Sequence, residues 1–147
     1  MRRDIHSIVN QYIKRFNSRN PFDIAKYLNI QIQIGPLGSR CGYYMYLKKH
    51  RCIFLNEELS EEEMNLVMSH ELGHAVLHRK QNCYFIRNYT LFLDSKIEQE
   101  ANIFAADLLI DDELLREAKE RNYTDAQLAR LACCDPALVK LRLRQRR

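Results

Sequence analysis

The chain has 147 residues, of which 46% are hydrophobic and 29% charged, with only 4 Gly and 3 Pro, a composition that excludes a disordered or fibrous protein. Its length suits one domain over residues 1–147, and its formal net charge of +4 is modest. No stretch approaches the roughly 20 apolar residues of a membrane span, and the five cysteines form no CxxC pair. We therefore expect a cytoplasmic globular protein with reduced thiols and no membrane partner.

The first half of the chain predicts two helices followed by three strands. Apolar residues at helical spacing mark residues 4–17, and Asn20 before Pro21 is typical of the N-cap and first residue of a second helix. The strands are expected at an alternating segment and at two β-prone runs, which are residues 30–34, 43–47 and 52–55. Together they predict a small antiparallel sheet of three strands.

The second half predicts helices. Ser60 and Glu63 form a capping-box pattern that begins a helix periodic to His78. A loop rich in aromatic residues leads to Ser95, after which a second strongly periodic helix continues to Ile110. Three short helices are predicted beyond it, over residues 112–121, 124–132 and 135–145. Strands that cluster before helices indicate the α+β class.

A metal-binding pattern lies inside the first long helix, where residues 70–74 read HELGH and fit H-E-x-x-H. Side chains four residues apart share one helix face, so His70 and His74 can bind one ion. Gly73 costs about 1 kcal/mol relative to Ala in a helix, which indicates the close approach of another segment or a ligand. A catalytic Zn²⁺, one per chain, would lower the pKa of a bound water towards about 7. Glu71 is placed to take that proton and pass it to a leaving amine.

The third protein ligand of a catalytic zinc has to come from elsewhere. His78 lies eight residues past His70, which is about 12 Å along a straight helix, and is better explained as a helix C-cap. The remaining candidates are carboxylates of the next helix, namely Glu98, Glu100 and Asp107. Two apolar residues follow Glu100 at the next turn, whereas Asn102 follows Glu98. We choose Glu100, because the side of the helix that carries it is expected to be buried.

The segments HELGHAVLH and EQEANIFAADLLI together resemble the ImmA/IrrE family of zinc metallopeptidases. In that family HExxH supplies two zinc ligands and the catalytic Glu, and the Glu that leads the pattern E-A-N-x-F-A-x-x-L-L is the third ligand, which corresponds to Glu100. One departure is visible, since the family often continues L-L-M-P where this chain has Ile110 and Asp111.

The resemblance also implies a protein substrate, a DNA-binding helix-turn-helix repressor of a phage or mobile element. We expect such a substrate to lie along the sheet edge beside the active-site helix, at the strand of residues 43–47. Tyr84 and Tyr89 of the aromatic loop are candidate helpers in catalysis, although each is more often simply a core residue.

A second hypothesis concerns residues 112–147, a helical, helix-turn-helix-like extension with a basic end. It is a DNA-binding regulator in which the metal site is structural or vestigial. The turn at residues 133–135 is unusual for such a motif and the recognition helix is short, so direct nucleic-acid binding is not favoured. The adjacent Cys133 and Cys134 in this turn are expected to be core residues rather than a redox pair.

Overall fold

The computed structural model describes residues 4–81, 83–86 and 95–144 and has the α+β class that the sequence predicts. Its elements in chain order are α1 (Ile5–Phe16), α2 (Pro21–Tyr27), β1 (Gln31–Gly35), β2 (Arg40–Leu47), β3 (His50–Asn56), α3 (Glu61–Leu77), β4 (Cys83–Ile86), α4 (Lys96–Leu109), α5 (Asp112–Glu120), α6 (Asp125–Ala132) and α7 (Pro136–Arg144). The predicted helices and strands are confirmed, with ends that differ by a few residues. Strand β4 lies where the sequence predicted only a loop.

Side-chain caps explain where the helices begin. The Asn20 side chain accepts the N–H of Phe22 at 2.9 Å, and Pro21 is the first helical residue of α2. Ser60 and Glu63 make both hydrogen bonds of a capping box, at 3.1 and 2.9 Å, where α3 begins. These bonds satisfy N–H groups that the first turn of a helix leaves without partners. The start of α3, which carries HELGH, is therefore fixed by its own sequence.

The strands form one mixed sheet in the order β1-β3-β2-β4. Strands β2 and β3 form an antiparallel hairpin, β4 pairs antiparallel with β2, and β1 pairs parallel with β3. The prediction of three antiparallel strands is therefore wrong in both strand number and the pairing of β1. The chain reverses between β1 and β2 and again between β2 and β3, so a β3 that lies beside β1 must run parallel to it.

Helix α3 packs on β2 and β3, and α4 packs against α3. Tyr44 and Ile53 of the sheet and Met68 and Leu72 of α3 are fully buried in one hydrophobic cluster. Burial of side chains of this size stabilises a fold by about 1.5–3 kcal/mol each. Helix α3, which carries HELGH, is therefore fixed in place by its packing against the sheet. In the part of the chain that the structure describes, no helix is long and apolar enough to cross a membrane.

The C-terminal helices are anchored by a buried arginine. Arg142 of α7 is 1% exposed, donates its Nε–H to the Ile110 carbonyl at 2.9 Å, and places Nε 3.3 Å from an Asp107 oxygen. Its Nη2 donates to Asp112 at 2.5 Å. A second hydrophobic cluster beneath these helices contains Ile110, Leu115, Ala118, Leu128, Ala129 and Val139. The predicted recognition helix is therefore partly buried on its own chain.

The turn between α6 and α7 departs from the expectation of a buried cysteine pair. Cys133 is exposed and caps α6 in the left-handed region, at φ 55°, while Cys134 is half-buried. Burial, with help from the Asp135 charge, raises the pKa of the Cys134 thiol to about 12. A thiol of that pKa carries almost no thiolate at neutral pH and is a poor nucleophile.

Candidate metal centre

The contact between α3 and α4 creates the site, and Gly73 permits it. A Cβ at Gly73 would lie 3.0 Å from the Phe104 Cβ and 3.2 Å from both the Cα and the carbonyl oxygen of Ala101. The helices therefore approach nearly backbone to backbone, which confirms the close approach that the mid-helix glycine predicts. Glu98 precedes Ala101 by about one turn and Asn102 follows it, so both side chains lie towards α3.

The two HELGH histidines meet a carboxylate from α4. His70 and His74 are fully buried, with ring centroids 4.8 Å apart. Glu98 places Oε1 3.1 Å from the His70 Nε2 and Oε2 2.9 Å from the His74 Nε2. Glu100 does not reach these nitrogens, and its Oε1 lies 2.9 Å from the Nε2 of His78. The structure thus places Glu98 where the sequence interpretation and the family pattern placed Glu100.

The hydrogen bond at the His70 Nδ1 determines whether the His70 Nε2 carries a hydrogen or a lone pair. The His70 Nδ1 lies 2.7 Å from the Asn102 Oδ1, which is an acceptor, so the ring donates its Nδ1–H there. A neutral imidazole has a single N–H, so the His70 Nε2 then presents a lone pair to the Glu98 carboxylate. Acceptors that face one another in a buried site need a proton or a metal cation between them.

Several buried acceptors around this point lack a hydrogen-bond partner within the described residues, namely both carboxyl oxygens of Glu71 and the Nε2 of His74. The His74 Nε2 is close to Glu98, but their approach is not aligned as a hydrogen bond. Ligand atoms of His70, Glu71 and His74 all lie within 4.8 Å of one another. Two imidazoles and one or two carboxylates form a donor set that fits Zn²⁺, so the residues present fit a metal ion.

The electrostatics of the cluster follow from its burial. Burial acts to raise the pKa of Glu98, but the His70 and His74 side chains beside it outweigh burial and hold that pKa at about 2. Burial lowers the pKa of His74, which favours the neutral imidazole that a metal requires. Burial, and then the charge of Glu98, raise the pKa of Glu71 well above its usual range. Glu71 is therefore a buried proton acceptor that a neighbouring cation would help to ionise.

The structure shows the positions of only some of the other predicted site features. Strand β2 pairs with β3 on one side and, from Arg40 to Tyr44, with β4 on the other, so the edge expected at residues 43–47 is already occupied at Tyr43 and Tyr44. The strand on the outside of the sheet beside β2 is β4, which carries Tyr84. The Tyr84 side chain and all of Tyr89 lie outside the described residues, so their proposed help in catalysis stays a prediction. His78 is the C-cap residue of α3, as the sequence predicts.

An HExxH helix on a sheet, with a carboxylate of a second helix at both imidazoles, defines a metallopeptidase-like site. The IrrE N-terminal-like domain of the peptidase M78 family matches residues 25–143, and the chain belongs to that family. It is 38% identical over 121 residues to the uncharacterized immunity region protein 2 of Bacillus phage phi105, across 82% of this chain and 77% of that protein. It is 32% identical over 112 residues to the metallopeptidase ImmA of Bacillus subtilis strain 168, across 75% of this chain and 65% of that protein. The family resemblance noted in the sequence is confirmed.

Proposed function

We propose that the chain is a zinc-dependent endopeptidase, with one Zn²⁺ bound by His70, His74 and Glu98. The observation that carries the proposal is the convergence of two imidazole Nε2 atoms on one carboxylate, at 3.1 and 2.9 Å, inside the protein. Three protein ligands leave a fourth position for water or substrate, which is the pattern of catalytic rather than structural zinc. Glu98 replaces Glu100 as the proposed third ligand because Glu100 is paired with His78.

The metal and the side chains around it have different roles in the proposed reaction. A bound zinc ion supplies Lewis acidity, which polarises a scissile carbonyl and makes water acidic enough to react near neutral pH. Glu71 has no hydrogen-bond partner among the described residues, so it is the group free to take a proton from that water and deliver it to the leaving amine. The ionised Glu98 offsets part of the charge of the metal, and Asn102 fixes the His70 ring with its Nε2 inward.

Metal binding tests the site independently of any substrate. Purified protein should bind one equivalent of zinc, and His70→Ala and Glu98→Ala should each abolish tight binding. Glu71→Gln should retain the metal, because Glu71 acts on the water and is not a ligand. Stoichiometric zinc binding that survives both His70→Ala and Glu98→Ala would contradict this ligand set.

The proposed substrate is a DNA-binding repressor of the helix-turn-helix type. Support comes from the membership of the M78 family and from a relative named for the immunity region of a phage. A substrate strand that adds to the sheet beside α3 would pair with β4, since β2 is covered on both sides at Tyr43 and Tyr44.

The cleavage test uses a helix-turn-helix repressor encoded beside this gene, with mass spectrometry of the products. The zinc-loaded protein should cut it at one or a few bonds, and zinc-loaded Glu71→Gln should leave it intact. An uncut repressor in the presence of zinc-loaded wild-type protein would contradict the proposed substrate, while equal cutting by Glu71→Gln would contradict the proposed role of Glu71.

The DNA-binding alternative gains no support from α7. Its Leu138 and Val139 are buried, and the Arg142 guanidinium is committed to Ile110 and Asp112 rather than available to phosphates. Leu138 belongs to the main hydrophobic cluster, which supports the proposal that the C-terminal helices belong to the same domain as the site. Free thiols at Cys41, Cys52, Cys133 and Cys134 support action in a reducing compartment such as the cytoplasm.

A further inference from the structure

A line of hydrogen-bonding groups leads from the site to the end of α3. The His74 Nδ1 lies 3.0 Å from the His78 Nδ1, and the His78 Nε2 lies 2.9 Å from the Glu100 Oε1. The His74 and His78 side chains are 0% and 4% exposed, and that of Glu100 is 16% exposed. His78 is one turn beyond His74 on α3, while Glu100 lies on α4, so the line bridges both helices.

When both imidazoles are neutral, the partners in this line determine which ring nitrogens carry a hydrogen. A carboxylate only accepts hydrogen bonds, so the His78 Nε2 must donate to Glu100. A neutral imidazole has one N–H, which leaves the His78 Nδ1 as an acceptor. The His74 Nδ1 must then donate to it, and the His74 Nε2 is left with a lone pair directed at Glu98. The Glu100 carboxylate of α4 thus determines, through His78, which nitrogen of His74 faces the metal.

We propose that His78 and Glu100 are positioning residues that hold His74 in its metal-binding tautomer and orientation. The inference rests on the proposed metal site and assigns a role to the two residues that the ligand set leaves out. The His70 Nδ1 instead lies 2.7 Å from the Asn102 Oδ1, so different side chains orient the two histidines. Outer groups of this kind raise the basicity of the ligand and fix its ring, and their loss typically weakens metal binding by about 10–100-fold.

Zinc dissociation constants, measured by competition with a chromophoric chelator, test this role without any activity assay. His78→Ala should weaken zinc binding by about 10–100-fold. Glu100→Ala should also weaken it, whereas Glu100→Gln, which keeps an acceptor oxygen, should lose less. If Glu100 acts through His78, the double variant should bind no more weakly than His78→Ala alone. His50→Ala and Glu113→Ala, which alter exposed residues of the same types, are the matched controls and should bind as wild type does.

Cobalt substitution gives a second readout, because the visible spectrum of Co²⁺ reports the field of its ligands. A shifted spectrum is expected for His78→Ala, and an unchanged one for His50→Ala. Should His78→Ala fail to fold, the comparison of Glu100→Ala with Glu100→Gln carries the same test. A folded His78→Ala with wild-type zinc affinity and an unchanged cobalt spectrum would overturn the proposal.

Two other results separate this inference from the proposed function. If His70→Ala binds zinc as tightly as wild type, the metal site itself is refuted. If Glu100→Ala abolishes binding while Glu98→Ala does not, Glu100 is a ligand and both its positioning role and the role of Glu98 are wrong.

Discussion

The change Gly73→Ala separates the geometry of the metal site from the stability of the fold. The added Cβ would lie 3.0 Å from the Phe104 Cβ and 3.2 Å from the backbone of Ala101. Favourable carbon contacts lie at about 3.5–4.0 Å, so α4 must move away from α3 by roughly half an ångström. Overpacking costs about 1–3 kcal/mol, while Ala in place of Gly in a helix regains about 1 kcal/mol. The net loss of unfolding free energy should therefore be no more than about 2 kcal/mol.

The effect on the metal should be larger than the effect on stability. Metal–ligand distances tolerate only about 0.2 Å, and α4 carries Glu98 one turn from the point of contact. We expect zinc binding at least tenfold weaker, with Tm of the metal-free protein lowered by no more than about 8 °C. The assays are chelator competition and thermal unfolding by circular dichroism. Gly35→Ala is the matched control, because a Cβ at Gly35 meets nothing within 4 Å. Wild-type zinc affinity in a folded Gly73→Ala would refute this reasoning.

Four further outcomes are expected. Arg142→Met leaves the buried Asp107 without its cation and should lower the unfolding free energy, measured by denaturant titration, by about 3 kcal/mol or more. Arg144→Met, at an exposed position, should lower it by at most about 0.5 kcal/mol. Burial raises the pKa of Asp107 above its usual 3.8. The unfolding free energy of wild type, relative to that of Asp107→Asn, should therefore fall as the pH rises above 3.8. A relative unfolding free energy that rises with pH would contradict the raised pKa. Glu71→Gln should keep zinc affinity within a few-fold while slowing peptide hydrolysis by about 10²–10⁴-fold, measured under single-turnover conditions. Free zinc at 100 times its dissociation constant should stabilise the protein by about 2.7 kcal/mol against unfolding, and excess chelator should remove that gain.

Local features of the fold were predictable from the sequence because their causes lie within a few residues. The capping box of Ser60 and Glu63 places its donors and acceptors inside one helical turn, so the beginning of α3 can be identified without knowledge of its neighbours. The same holds for Asn20 and Pro21 at the start of α2. His70, His74 and Glu71 share one helix, so their proximity also follows from spacing alone.

The sheet was less predictable because its pairing depends on distant segments. Strand β1 lies next in sequence to β2 but pairs with β3, and the sequence of β1 contains nothing that selects between them. The hairpin of β2 and β3, by contrast, follows from the short connection at Lys48 and Lys49, both of which have positive φ. Pairing by a short turn is local, whereas the parallel pairing is decided by how the whole hairpin packs.

The sequence interpretation put Glu100, not Glu98, beside the two HELGH histidines because it took a polar neighbour as a sign of solvent exposure. Asn102 follows Glu98 at the next turn, and its amide suggested a solvent-facing side of α4. Asn102 is in fact fully buried, with its amide oxygen on the His70 ring. A better signal was present in the small residues Gly73 and Ala101, which mark where two helices can touch. A polar residue beside such a helix contact indicates a buried functional site rather than a solvent-exposed surface.

The central claim is that one zinc ion lies between α3 and α4 on His70, His74 and Glu98. Anomalous diffraction at the zinc absorption edge, from crystals of the zinc-loaded protein, tests it most directly. The account predicts a single peak about 2.0–2.2 Å from the two imidazole Nε2 atoms and from a carboxylate oxygen of Glu98, with Glu100 hydrogen-bonded to His78. A peak bound to Glu100, or no peak between the two helices, would contradict it.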